Sequence, residues 1–101
     1  MLMDYEGRRI RLTDERWRHI IEHPEMASMR DHLEETLAAP ESVVESLSDP
    51  AARLYYRFYL RTMVGGKYLC VVVLTGPGDA FVVTAYLTDK VKSGKTIWPR
   101  K

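Results

Sequence analysis

The apolar positions of the chain follow a helical period up to Pro40 and a strand period after it. Arg8 to Leu12 is short and serves equally as an entry strand or a lead-in. Thr13 is placed as an N-cap, with Asp14 and Glu15 in the first turn, where the helix dipole favours negative charge. Trp17, Ile20 and Ile21 share one stripe of the helix that follows, and Pro24 ends it. After a connection from Pro24 to Ser28, Met29, Leu33 and Leu37 recur at helical spacing, with Asp31, Glu34 and Glu35 toward solvent. Ala38, Ala39 and Pro40 close this second helix.

From Ser42 onward the pattern predicts strands at Ser42 to Leu47, Arg53 to Arg61, Lys67 to Thr75 and Ala80 to Thr88. Turn residues separate them at Ser48-Asp49-Pro50, Gly65-Gly66 and Gly76-Pro77-Gly78-Asp79. The third strand is apolar on both parities, as suits a central position. The expected fold is α+β, a single domain over residues 1–101 with two N-terminal helices packed on a four-stranded antiparallel meander. Leu54, Tyr56, Phe58 and Leu60 are expected to meet the helices, together with Phe81, Val83, Ala85 and Leu87. That leaves Arg53, Tyr55, Arg57, Tyr59 and Arg61 on an open face shared with Val82, Thr84, Tyr86 and Thr88.

Charge sharpens this picture. Residues 1–52 carry six Lys/Arg against twelve Asp/Glu, and residues 53–101 nine against two, so a net charge of +1 divides into −6 and +7. A basic half points to an anionic ligand, nucleic acid first, unless the two halves neutralise each other. The arginine row suits phosphates, Tyr55 and Tyr59 suit stacking on bases or cross-strand packing, and the basic tail with Lys92, Lys95, Arg100 and Lys101 adds electrostatic grip. No apolar run is long enough to span a membrane, so no membrane partner is expected. One cysteine, Cys70 in an apolar run, argues for a reducing, cytoplasmic setting.

His19 and His23 stand four apart and spell H-x-x-E-H with Glu22, a motif known from zinc peptidases. Such a site needs a further ligand, yet no glutamate follows Glu45 and only Asp79 and Asp89 lie downstream, so neither a metal nor another cofactor is expected. Either histidine alone also suits a helix end. Beside a basic sheet face, a histidine can move the proton in cleavage of RNA by its own 2′-hydroxyl, with Arg57 on the phosphate and Thr84 and Tyr86 positioning it. Arg53 and Arg61 then grip the backbone.

The segments W-R-H-I-I-E-H-P-E (Trp17 to Glu25), Ala38 to Glu41, Tyr55-Tyr56 and V-V-T-A-Y-L-T-D (Val82 to Asp89) resemble a phage- and toxin-associated nuclease family. That family belongs to the barnase, EndoU, colicin and RelE-like superfamily. The resemblance implies a barnase/RelE-like fold and a metal-independent endoribonuclease that leaves a cyclic phosphate. It places the active site on His23 or His19, Arg57, and Thr84 or Tyr86, with RNA as partner and an acidic antitoxin or immunity protein as a second. The chain departs from the barnase pattern in having no glutamate in its last three expected strands. A non-catalytic RNA-binding or protein-interaction module of the same fold is the alternative.

Overall fold

A computed structural model describes residues 1–99; Arg100 and Lys101, part of the expected basic tail, lie outside the described residues. The chain is α+β. Strands β1 (Leu2–Met3) and β2 (Arg9–Ile10) form a two-stranded ribbon. Its turn is organised by Asp4, whose carboxylate accepts from the backbone N–H groups of Glu6 and Arg8 at 2.9 Å each. Helix α1 (Asp14–Ile20) begins as expected, with the Thr13 hydroxyl accepting from the Arg16 N–H at 3.1 Å. A single 3-10 turn, Pro24–Met26, precedes α2 (Arg30–Ala38) and buries Met26 completely.

The main sheet has five strands where the period predicted four. Strands β3 (Ser42–Glu45), β4 (Ala52–Tyr59), β5 (Lys67–Gly76) and β6 (Asp79–Thr88) form the meander. A further strand, β7 (Lys95–Trp98), pairs antiparallel with β3, giving the order β6-β5-β4-β3-β7. Four residues between Gly94 and Pro99 carry too little alternation to announce a strand. The Trp98 indole N–H fixes it by donating to the Pro40 carbonyl at 3.2 Å.

The two sheet faces are reversed along β4. On the helix side Tyr55, Leu69, Val71 and Val73 pack with Ile20, Met26, Met29, Leu33 and Leu37. Leu54, Tyr56 and Cys70 form a smaller cluster on the opposite side, and Phe58 is 41% exposed. Tyr55 can lie inside because its hydroxyl donates to Asp4 Oδ2 at 2.7 Å, satisfying a phenol and a carboxylate that are both buried. In β6 the expected parity holds for Ala85 and Leu87 but not for Phe81 and Val83. A bulge places Val73 opposite Val82 and Val72 opposite Thr84, so Val83 is the extra residue and Ala80 and Val82 turn inward.

The second face is crossed by residues 89–94, which lead from β6 at one edge to β7 at the other. Four inter-strand steps of about 4.8 Å make that span roughly 19 Å, so the strap runs nearly extended. Midway the Lys92 N–H donates to the Tyr56 hydroxyl at 3.1 Å. At its end Gly94 lies so close to β3 that a Cβ would sit 2.5 Å from the Glu45 carbonyl oxygen.

Two outcomes follow for stability. Tyr55→Phe, by removing a donor from buried Asp4, should cost about 1–3 kcal/mol, whereas Phe58→Ala should cost less than the roughly 3–5 kcal/mol of a buried phenylalanine; urea unfolding compares them. Burial raises the phenols of Tyr56 and Tyr59 to about 12 and pushes those of Tyr55 and Tyr86 upward too. Folded values above the unfolded one mean that this stability is complete below about pH 10 and lost above it. The melting temperature should therefore hold over roughly pH 7–9 and fall from about pH 10 as the tyrosines ionise.

Candidate active site

The chain leaves α1 at Ile20, so His23 is not on the helix. It stands in extended conformation (φ −84°, ψ 109°) ahead of the 3-10 turn, with Pro24 setting the turn's first position. The two histidines therefore do not share one helical face. His19 Nδ1 lies 3.7 Å from Glu22 and lines a shallow dent with Arg16 and Arg18, while His23 Nδ1 lies 3.6 Å from Glu25 Oε1 and is 74% exposed. Among the described residues no group of three His, Cys, Asp or Glu side chains is arranged to hold a metal ion.

His23 opens instead onto a groove of 460 Å³ at the edge of the sheet, where β6 ends and β5 begins. Glu25, Val64, Lys67, Tyr86, Leu87, Thr88 and Asp89 complete its lining. Lys67 arrives from the first position of β5 and its ammonium donates to Asp89 Oδ1. Tyr86 reaches the groove from the second sheet face, beside Cys70; burial, then that neighbour, raises its phenol, so it is a hydrogen-bond donor and not a base at neutral pH. An imidazole beside a carboxylate, an ammonium and two hydroxyls can together hold an anionic group and move a proton beside it.

Of the residues anticipated for catalysis, the structure brings together His23 and Tyr86. Thr84, opposite Val72 on the second face, does not line the groove. Arg57 lies on the helix side, where its Nη1 donates to the Ala39 carbonyl at 2.7 Å and its Nε is 3.6 Å from Glu35. The row expected to be an open basic face is the seam between sheet and helices. Arg53 donates to Glu6 at 3.4 Å, and wholly buried Tyr55 presents no ring for a base. Tyr59 stacks on His32 at 4.2 Å with its hydroxyl 2.7 Å from Glu35. Arg61, Lys92 and Lys95 are exposed.

Sequence reasoning missed Lys67, Glu25, Thr88 and Asp89. Glu25 was legible in the His-Pro-Glu step. Lys67 was harder to find, because counting back from the Gly76 turn puts it opposite Thr88, and only the bulge at Val83 moves its counterpart to Asp89. No helix among the described residues is long and apolar enough to cross a membrane. No family model, curated protein or solved structure matches this chain.

Cys70 does not line the groove. It is fully buried and burial raises its thiol, which suppresses the reactive thiolate. Native protein should react with a disulfide reagent far more slowly than urea-unfolded protein, as followed by thionitrobenzoate absorbance.

Proposed function

We propose that the chain is a small endoribonuclease of the barnase, EndoU, colicin and RelE-like kind, cutting RNA without a metal through its own 2′-hydroxyl. The observation that carries this reading is the convergence of His23, Lys67 and Tyr86 on one open groove. The His23 imidazole takes the proton of the 2′-hydroxyl, whose oxygen attacks the adjacent phosphorus. As the bond to the 5′-oxygen breaks, a 2′,3′-cyclic phosphate forms and the leaving oxygen takes a proton from water in the open groove. Lys67 offsets the charge growing on the phosphoryl oxygens and the Tyr86 phenol donates to one of them, while the Glu25 carboxylate stands 3.6 Å from the imidazole. Lys67 thus takes the role that the arginine row suggested for Arg57.

A second reading rests on the ion pair within the groove. Lys67 is paired with Asp89, and Glu25 stands 3.6 Å from His23, so the groove's ammonium already has a partner, as in a site that holds an RNA or protein without cutting it. Incubation of end-labelled RNA with purified protein in EDTA decides between them. Cleavage yielding cyclic phosphate ends is expected, with His23→Ala and Lys67→Met each lowering the rate by about 10²-fold or more. RNA that is retarded in a gel but stays intact, or variants that cut like the wild type, would overturn the catalytic reading.

A further inference from the structure

Thr88, on the groove's rim, is opposite Tyr68, and Tyr68 is opposite Phe58. The three residues form one row across β6, β5 and β4 on the face away from the helices. Two inter-strand steps put Phe58 roughly 10 Å from Thr88. The Phe58 and Tyr68 rings meet edge to face, with centroids 5.2 Å apart and planes at 76°, and Tyr56 stands edge-on to Tyr68 at 6.4 Å. Edge-to-face packing leaves ring surface for a third planar group. The strap from β6 to β7 is tied down at Tyr56, one row away, and Phe58 remains 41% exposed.

The charges around this patch favour an anionic occupant. Lys90 and Lys92 stand on the strap; both are exposed and neither has a carboxylate within ion-pair distance among the described residues. The two nearby carboxylates are engaged, Glu41 with the Phe58 backbone N–H at 2.8 Å and Asp89 with Lys67. Aromatic rings bordered by the strap lysines, continuous with a groove suited to a phosphate, match single-stranded nucleic acid, whose bases are unstacked and whose backbone is charged. A purely apolar protein segment would leave those cations without counter-charge.

We infer that Phe58 and Tyr68 form a base-stacking subsite for single-stranded RNA, receiving a nucleotide that flanks the phosphate held in the groove. The inference rests on the ribonuclease reading for the identity of the strand, and places its path across the rim at Thr88 onto the outer sheet face. Duplex RNA, with its bases stacked inside, cannot use the subsite.

A fluorescein-labelled 2′-O-methyl RNA hexamer, which cannot attack through its blocked 2′-oxygen, separates binding from cleavage. Anisotropy titrations at fixed salt should show binding by the wild type, about tenfold weaker binding by Phe58→Leu, unchanged binding by Leu47→Ala in the β3–β4 connection, and no comparable affinity for the same sequence as a duplex. Tyr68→Leu provides the same reading should Phe58→Leu fail to melt cooperatively. If the wild type binds but loss of either ring leaves affinity unchanged, the subsite is refuted while cleavage by the groove is untouched. Binding that depends on the rings, with unmodified RNA left intact, upholds the subsite and removes the catalytic reading. Failure of the wild type to bind the hexamer overturns the subsite and leaves the patch to a protein.

Discussion

The orientation of the central sheet depends on one buried hydrogen bond, from the Tyr55 hydroxyl to Asp4. A carboxylate withdrawn from water needs several donors, and Asp4 receives two from the ribbon backbone and a third from Tyr55. With Tyr55 pinned inward, alternation turns Arg53, Arg57 and Tyr59 to the helix side as well. Each then finds a partner in the acidic first half of the chain: Arg53 on Glu6, Arg57 on Ala39 and Glu35, Tyr59 on Glu35 and Thr36. Part of the charge division between the halves is therefore neutralised within the fold, and the row most suggestive of a ligand is the seam joining its two layers.

The same alternation creates the need for a second cover. Leu54, Tyr56 and Cys70 are driven to the side without helices, where the strap from β6 to β7 shelters them. Gly94 permits the strap to close against β3, since any side chain there would meet the Glu45 carbonyl. Because the strap runs from one edge to the other and anchors at Tyr56, it does not bury the end of the face at Phe58. Partial cover with an exposed aromatic end is a product of the topology.

Much of the backbone was legible in the sequence. Thr13, Pro24 and the Met29, Leu33 and Leu37 stripe marked the helices, and turn residues bounded the meander closely. The faces of β4 were not legible, because both parities carry aromatic rings, Tyr55 and Tyr59 on one and Tyr56 and Phe58 on the other. Hydrophobicity alone does not choose between them; the choice is made by a hydroxyl partner far away in sequence. The bulge at Val83 likewise hides in a run of β-branched residues that suits either register. At the site, His23 and Tyr86 were found because their residue types are chemically conspicuous, whereas Lys67 depends on that bulge to meet Asp89 beside them.

The Lys67–Asp89 pair bears on how the proposed site would accept a phosphate. Lys67 is three-quarters buried on its strand, while the Asp89 side chain opposite is 75% exposed, so the carboxylate is the member free to leave. With Asp89 in water, such a half-exposed pair contributes on the order of 1 kcal/mol. Exchange of Asp89 for a phosphate oxygen thus replaces one charge-assisted contact by another at little net cost, and meanwhile Asp89 keeps the ammonium aimed at the groove. Glu25 stands 3.6 Å from the His23 imidazole in the same groove. Asp89, which matches Lys67 at rest, is in this sense a placeholder, which reconciles a paired ammonium with a groove suited to an incoming anion.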